Sequence, residues 1–579
     1  MRVVEGRRRW LRGAAAAGWL LVAAGMSPVA AAADGSTLHL VSGEPFQNPP
    51  ACQSQGADGE ATLAFDDKSG RMVAAWMQDL EGVGASQLTE PIVLTAASND
   101  GGATWSGSEA PPAVSPCAAP AGPAKGGVFD PSISVGPDLG TGGRRWYLAT
   151  NEGASLGPPP TPPNIYVSTS SDGIAWSLPA VVAGPPGDSA TVVADPLRPG
   201  QAFVVWNGGP LGPWLASTSD GGRTFAPPIN IHQPAPGTED EGPRMVMLSD
   251  GSLLVVFDEL SLRGVIQGSL AGQLLATRCA SNCAGTGAQW TKPVTVGFQG
   301  DSSVVDPANG TAYSTISTFS LAAAPSTGAV VAWTTNNGTK SGEIHVVSSS
   351  DGGSSWRLST DLHRPAETFQ AKVAVADDGA MALTWYDFSG PQPAGMVRPT
   401  TAWFARRDRG GSTWLVDPLA SPFDLSTASA SGFAAGYLGD YQGLVPTGKG
   451  FEAAFTLGRP SAQFGATDIF ATALPAGHLQ NAGRSSGGPS AGTLSGSPAT
   501  GASSSPIRAQ GTSPMTGALT KRAEVPLRTA SLMVGPVPSP DGPGAPVTIL
   551  GLFCFLAGYL MIRFAHRRVR TSTWPTSTR

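Results

Sequence analysis

Five short stretches of the chain combine an aspartate, one or two glycines and an aromatic residue within six positions of the aspartate. Carboxylate oxygens in a glycine-rich loop can bind calcium, but an EF-hand loop alternates its oxygen ligands and ends in a glutamate, and none of these stretches does. The chemistry they predict is hydrogen bonding within a tight turn, where the carboxylate accepts backbone N–H groups two or three residues later and glycine permits positive φ. No metal and no cofactor is predicted. The pairs are Asp100 with Trp105, Asp172 with Trp176, Asp220 with Phe225, Asp351 with Trp356, and Asp408 with Trp414.

The fullest of these stretches, residues 349–356, reads Ser-Ser-Asp-Gly-Gly-Ser-Ser-Trp. It resembles the Asp-box, or BNR repeat, of the sialidase-like β-propellers. Residues 98–105 and 218–225 repeat the octet in full. Neighbouring copies are roughly 50 to 70 residues apart, except across the fourth predicted blade, which lacks one, and this spacing suits a four-stranded blade with its loops. The resemblance implies an all-β fold, a β-propeller of four-stranded blades.

Strand patterns fill the intervals between the turns and predict six successive blades. A remainder at 437–474 supplies only three strands, and a propeller must close its ring without an open edge. The isolated strand pattern at 37–41 fits as the missing fourth strand. We therefore expect seven blades closed by strands from both ends of the domain at 34–474, with six blades as the alternative because catalytic sialidases are six-bladed. The six predicted blades span about 60–114, 128–182, 190–231, 239–296, 302–359 and 369–422.

The segments that flank this domain predict a surface protein. Residues 1–33 have the basic start, apolar core and small-residue end of a secretory signal, with an uncleaved anchor as the alternative. Residues 475–543 are rich in Ser, Gly, Pro and Ala and predict a disordered stalk. Residues 544–562 are long and apolar enough for one transmembrane helix, and the basic tail at 563–579 places the C-terminus in the cytoplasm. The net charge of −6 argues against nucleic acid as a partner.

Four of the five cysteines are predicted to form disulfides, because an exported domain is oxidised. Cys279 and Cys283 are close enough for a local bridge, and Cys52 and Cys117 flank the first blade and could pair across it. No Cys/His spacing indicates zinc.

Sialidases clamp their anionic substrate with three arginines, and use a tyrosine nucleophile assisted by a glutamate and an aspartate as acid/base. Tyr441, followed by Gln-Gly-Leu and a strand, is similar to the nucleophile segment. By the same resemblance Glu241 would be its partner and Asp79 the acid/base. For each of the three, a structural role is the alternative: an inner-strand tyrosine with a satisfied hydroxyl, a solvated acidic loop, and a loop carboxylate.

The clamp departs from the family pattern. The position of the first arginine carries Glu60, the second falls at about Asp258, and the third has no match. An anionic sugar would be repelled there, unless Arg244 or Arg459 replaces the clamp. We therefore expect a propeller that binds a glycan or a surface protein at its axial face without sialidase activity. The alternative is an exo-glycosidase that uses the carboxyl groups of Glu60, Asp79, Glu241 and Asp258.

Overall fold

The computed structural model describes residues 37–475 with internal gaps, at 45–52, 82–90, 108–110, 112–126, 141, 153–163, 209–210, 264–270, 286, 301–302, 306–311, 317, 337–340, 429–435 and 449. The predicted signal segment, stalk, membrane span and basic tail lie outside the described residues, as do Cys52 and Cys117. In the part that is described, no helix has the length and hydropathy needed to cross a membrane.

The described chain is nearly all β, with a short 3-10 turn at Leu425–Thr427. The strands, β1 to β30 in chain order, are His39–Leu40, Gln53–Phe65, Met72–Glu81, Ile92–Ser98, Val128–Pro137, Arg144–Glu152, Ile165–Ser170, Ala180–Val182, Asp188–Ala194, Ala202–Asn207, Pro213–Thr218, Ile229–Asn230, Thr238–Met247, Leu253–Ser261, Gly272–Cys279, Val294–Gln299, Ser303–Val305, Ala312–Ile316, Ser320–Ala324, Gly328–Asn336, Gly342–Ser349, Arg357–Arg364, Thr368–Val375, Met381–Asp387, Pro399–Arg407, Leu415–Pro418, Phe423–Asp424, Gly443–Thr447, Gly450–Gly458 and Thr467–Pro475.

These strands form successive antiparallel sheets in which neighbours in sequence are neighbours in the sheet. Strands β5–β8, β9–β12, β13–β16 and β19–β22 make four-stranded sheets, and β23–β26 makes a fifth that β27 extends. Strands β2–β4 form the first sheet, whose predicted fourth strand after Trp105 falls outside the described residues. Strands β17 and β18 form a separate hairpin.

The first strand of each sheet packs against the first strand of the next. In order these inner strands are β2, β5, β9, β13, β19, β23 and β28, and β28 packs again on β2. Between each pair of adjacent sheets lies an apolar cluster, including one between the last sheet and the first. In the described part of the chain, the successive antiparallel sheets are consistent with a propeller.

Large aromatic residues in the second strand of each sheet fill these clusters. Burying such a side chain contributes about 1.5–3 kcal/mol each relative to leaving it exposed. Apolar packing therefore holds neighbouring sheets together, and the last and first sheets are also joined by a parallel pairing of Ala57 in β2 with Thr467 in β30. The aromatic residues are Trp76, Trp146, Trp206, Phe257, Trp333, Trp385 and Phe455, all buried.

The Asp–Gly turns form as predicted in the three full octets. The Asp351 carboxylate accepts from Ser355 N at 2.9 Å, Ser355 Oγ at 2.6 Å and Ser349 Oγ at 2.8 Å. These hydrogen bonds, Ser355 first, hold the pKa of Asp351 at about 2. Gly353 has φ +86°, and a Cβ there would meet Leu254 of the preceding sheet at 2.5 Å, so the turn packs against its neighbour.

Two details of the turns differ from the expectation. All three octet aspartates accept from the residue four positions on, whereas a backbone donor at the predicted two or three positions is present for Asp220 and for Asp172 in the shortened copy. The Asp408 carboxylate instead accepts from the Arg406 guanidinium, because the extra arginine in that copy lengthens the turn.

The closing sheet combines both ends of the domain. Three of its strands are β28, β29 and β30, and the fourth is β1, which pairs with β30. His39 pairs with Ala471, and Val41 N donates to Ile469 O at 2.8 Å. Leu38 enters the cluster between the last two sheets and Val41 the cluster between the last sheet and the first. The predicted closure by residues 37–41 is confirmed.

We predict that deleting residues 34–42 lowers the free energy of unfolding by on the order of 5 kcal/mol, from two buried aliphatic side chains and several strand hydrogen bonds. Thermal unfolding followed by circular dichroism measures this. Deletion of 34–36 alone, which leaves β1 intact, is the control. Equal melting temperatures for the two deletions would refute the role of β1 in closure.

Candidate functional site

The inner strands share one irregularity at the same level. In β2, β5, β9, β13 and β23 the pairing register shifts across three residues, at 59–62, 129–132, 188–191, 241–244 and 369–372. The second residue of each bulge has positive φ, and the third is alanine or proline. A bulge bends its strand and re-aims the side chains beside it, and such bulges are frequent next to functional sites.

At the second position of the bulge, four of the five residues are not glycine. Glu60, Asp130, Ser189 and Gln370 have φ between 50° and 56°, with Gly242 at 52° in the remaining strand. The left-handed conformation costs an L-residue about 1–2 kcal/mol. The strained conformation recurs in four sheets and is held by the packing around it. The inner-strand positions that carry it are therefore a candidate functional site.

Glu60 is the centre of the site. Its side chain is only 3% exposed, Tyr437 Oη donates to its Oε1 at 2.6 Å, and Asp130 N donates to its Oε2 at 3.1 Å. Tyr437 precedes β28 in the last sheet, whereas Asp130 lies in the second. One carboxyl group therefore joins three neighbouring sheets.

Two further carboxyl groups lie beside Glu60. Oxygens of Glu60, Asp130 and Asp440 all lie within 4.8 Å of one another. Burial and the nearby Asp440 raise the pKa of Glu60 to about 8, and burial with Asp130 raises the pKa of Asp440 to about 8. Burial and Glu60 raise the pKa of Asp130 well above its usual range. Glu60 and Asp440 thus favour the protonated form at neutral pH, and the pKa of Asp130 is shifted in the same direction. The three carboxyls are together called the axial carboxyl group.

Asp188 links the axial carboxyl group to the third sheet. A hydrogen bond to Asp188 favours the protonated form of Asp130, and Asn151 Nδ2 donates to Asp188 Oδ1 at 2.7 Å. Two further hydrogen bonds join neighbouring segments here. Thr318 Oγ1 donates to Asp440 O at 3.0 Å, and Gln442 Nε2 donates to Gln370 O at 2.8 Å.

Tyr441 lies at the axis with two cationic side chains. Its hydroxyl donates to Pro131 O at 3.3 Å, and the guanidinium carbon of Arg244 lies 5.3 Å from its ring centroid. Burial, then the Glu60 carboxyl, raises the pKa of Tyr441. Burial and the neighbouring Arg244 lower the pKa of Lys372 to about 8. In the described part of the chain, neither Arg244 nor Lys372 forms an ion pair with a carboxylate.

Glu241 and Asp258 form a second acidic pair. They face each other in the β13–β14 ladder, and Asn207 Nδ2 donates to Glu241 Oε2. Asp258 is 6% exposed, and burial raises its pKa to about 8. Burial, with Glu239 as the largest charge, raises the pKa of Glu241 well above its usual range.

The predicted site residues are therefore only partly brought together. Tyr441 and Glu60 share the axial site. At the axis the hydroxyl that donates to a glutamate is that of Tyr437, on Glu60, and the pairing of Tyr441 with Glu241 stays a prediction. Asp258 lies in β14, the second strand of its sheet, where it pairs with Glu241 of β13. Asp79 lies in β3, and its side chain is outside the described part.

The two replacement arginines are also separated. Arg244 reaches Tyr441, whereas Arg459 Nε donates to Gly465 O at 3.1 Å in the turn between β29 and β30. The Cys279–Cys283 disulfide is present, with a Cα separation of 5.6 Å. The Cys52–Cys117 pairing stays a prediction.

Several members of the site were not predicted from the sequence: Tyr437, Asp130, Asp188, Asp440 and Lys372. A signal was present, since Glu60-Ala61, Asp130-Pro131, Ser189-Ala190, Gly242-Pro243 and Gln370-Ala371 are the repeated bulge. Carboxylate oxygens also suit hard cations. Both Glu60 oxygens, however, already accept hydrogen bonds, so the trio is better described as a proton-sharing group.

No protein-family model matches this chain, and no curated protein sequence matches it. Solved structures of sialidases are similar in fold at low identity. A Hadza microbial sialidase is 14% identical over 72% of this chain and 66% of that chain, with a TM-score of 0.37. Trypanosoma rangeli sialidase with 2,3-difluorosialic acid is 12% identical over 76% and 59%, with a TM-score of 0.39. The α-L-arabinofuranosidase of Fusarium graminearum is 14% identical over 63% and 97%, with a TM-score of 0.35. Similarities of this degree carry no argument about activity.

The raised pKa of Glu60 predicts a pH-dependent stability. Unfolded Glu60 loses its proton near its usual pKa of 4.5, but the folded residue keeps it up to about 8. Since the folded state then binds more protons, stability falls as pH rises across that window. Glu60→Gln should remove part of this fall.

We expect Glu60→Gln to melt a few degrees above the wild type at about pH 9 and not above it at about pH 5, because the amide nitrogen cannot accept from Asp130 N. Differential scanning calorimetry across pH measures this, with exposed Asp67→Asn as the control. A variant that is destabilised equally at every pH would contradict the protonated state of Glu60.

Proposed function

We propose that this chain is a cell-surface, seven-bladed β-propeller that binds a neutral glycan at its axial carboxyl group and does not hydrolyse sialosides. A signal at 1–33, a stalk at 475–543 and a single span at 544–562 would hold the propeller outside the membrane. The observation that carries the binding proposal is the axial trio of Glu60, Asp130 and Asp440.

The state of Tyr441 argues against a sialidase mechanism. A tyrosine nucleophile needs a base that removes its proton, but the Tyr441 hydroxyl donates to a backbone carbonyl of Pro131. Its pKa is raised by burial and by the carboxyls around it, which disfavours the phenolate. The nucleophile would be held in its unreactive form.

The charges around Tyr441 argue in the same direction. One guanidinium, Arg244, lies near the ring, and Lys372 is the second cation. Clamping a carboxylate takes forked, charge-assisted hydrogen bonds from several donors. Glu60, Asp130 and Asp440 would face the anionic ligand instead, and carboxyl groups supply no positive charge to hold it.

Protonated carboxyls suit sugar hydroxyls. A carboxylic acid both donates and accepts hydrogen bonds, whereas a carboxylate only accepts. At neutral pH the trio therefore offers both functions to a ligand whose hydroxyls also do both. The half-buried Tyr441 ring beside it adds apolar surface for a sugar face.

One observation favours the exo-glycosidase alternative. Carboxyl oxygens within 4.8 Å approach the separation of about 5–5.5 Å between the two carboxyl groups of retaining glycosidases. A carboxyl with a pKa of about 8, such as that of Asp440, is also suited to protonate a leaving group.

The test uses the full-length protein in mild detergent on a glycan array and with fluorogenic glycosides. We expect binding to neutral glycans that Glu60→Gln and Asp440→Asn weaken at least tenfold and that Asp67→Asn leaves unchanged. We also expect no turnover of an α-sialoside, by the wild type or by Tyr441→Phe.

Turnover of a sialoside that Tyr441→Phe abolishes would overturn the proposal. Turnover of a neutral glycoside that Asp440→Asn abolishes would establish the exo-glycosidase alternative. Preferential binding of sialylated glycans would contradict the charge argument.

A further inference from the structure

A second cluster of ionisable side chains lies on the opposite face of the fourth sheet. Asp240 and Glu259 face each other in the β13–β14 ladder, one position along from Glu241 and Asp258. Because side chains alternate between the faces of a strand, Asp240 and Glu259 point away from the second acidic pair. They face His232, which follows β12.

The three groups are close but do not hydrogen-bond to one another. His232 Nε2 lies 3.8 Å from Asp240 Oδ2 and 3.7 Å from Glu259 Oε2. Hydrogen bonds of this type are shorter, about 2.7–3.2 Å. The imidazole is fixed by stacking on Phe257, with ring centroids 5.0 Å apart, so its nitrogen stays directed at both oxygens.

Asp240 is a buried group without a partner. Its side chain is 1% exposed, and neither carboxylate oxygen has a hydrogen-bond donor among the described residues. His232 Nε2 likewise lacks a hydrogen-bond partner there. A buried, unsatisfied carboxylate is costly, and each such group in a native fold calls for an explanation such as an ion.

We propose that His232, Asp240 and Glu259 bind a divalent transition-metal ion of the Zn²⁺ or Mn²⁺ class. Ligand atoms at about 2.1 Å from a tetrahedral ion lie about 3.4 Å apart, within a few tenths of an ångström of both measured separations. A metal ion accounts at once for the long N···O distances and for the two unpartnered oxygens of Asp240.

The donor set selects the class of ion. Calcium and magnesium prefer all-oxygen sites, whereas one imidazole with two carboxylates suits zinc or manganese. Burial and Glu259 raise the pKa of Asp240 to about 8, so a proton competes with the metal there. The His232 and Glu259 side chains are each 18% exposed, which gives the ion access from solvent.

The site is independent of the axial carboxyl group and of the proposed glycan binding. Its ligands come from β13, β14 and the segment after β12, so an ion would tie the third sheet to the fourth. The sequence did not indicate it, because no local spacing joins His232, Asp240 and Glu259, and only the ladder register brings them together.

The test is a Zn²⁺ titration of the full-length protein, purified without a polyhistidine tag and stripped of metal by chelation. Isothermal calorimetry should show a single saturable site, and thermal unfolding should shift upward with Zn²⁺. Asp240→Asn and His232→Gln should each weaken binding at least tenfold. X-ray absorption at the zinc edge should show one imidazole ligand and oxygen ligands.

Glu452→Gln is the matched control, because Glu452 is equally buried, has an unpartnered Oε1, and has a pKa raised to about 8 by burial. It should bind Zn²⁺ like the wild type. His363→Gln tests uptake at the surface cluster of His363 with Glu343, and should leave the same site intact.

The proposal fails if the wild type shows no saturable binding of Zn²⁺ or Mn²⁺, or if both ligand variants bind like the wild type. Should Asp240→Asn not fold, His232→Gln decides alone. A sulfur ligand in the absorption spectrum would also overturn it.

Discussion

The rest of the structure depends on the packing of the inner strands, the first strand of each described sheet, against one another. Apolar clusters between the sheets fix the spacing of these strands, so side chains from distant parts of the chain are forced close together at the centre. In this protein four of those side chains are the carboxyl groups of Glu60, Asp130, Asp188 and Asp440. Like charges cannot all ionise in a partly buried space, and the axial carboxyl group therefore shares protons at neutral pH. The bulge repeated in five inner strands sets the level at which this happens.

The same crowding of carboxyl groups affects Tyr441, whose segment resembles the nucleophile segment of sialidases. Tyr441 sits where resemblance places a nucleophile, but its hydroxyl donates to Pro131 O and the surrounding acids keep it neutral. Glu60, in place of a clamping arginine, instead joins Tyr437 and Asp130 across three sheets. In the proposed function, this proton-sharing group would bind a neutral, hydroxyl-bearing ligand.

The fold was predictable from the sequence because its signals are local. The Asp–Gly octets fix turns through contacts within five residues, and the three-strand remainder with the strand at 37–41 predicted the closing sheet. The site was predictable only in part. Glu60 and Tyr441 followed from resemblance, but Asp130, Asp188 and Asp440 come from three different sheets, and Asp258 needed the β13–β14 register to be placed. Which inner-strand residue faces the axis depends on the bulge, whose sequence pattern is only an alanine or proline after the strained residue.

The most direct test of the account is a carboxyl titration of the native protein. With ¹³C-labelled glutamate and aspartate side chains, nuclear magnetic resonance follows each carboxyl carbon from acid to alkaline pH. We predict that the carboxyl carbons of Glu60 and Asp440 titrate with midpoints near pH 8. These two signals should disappear in Glu60→Gln and Asp440→Asn, respectively. If every carboxyl carbon titrates near the usual values of 4.5 and 3.8, the axial group is ionised at neutral pH and the account is wrong.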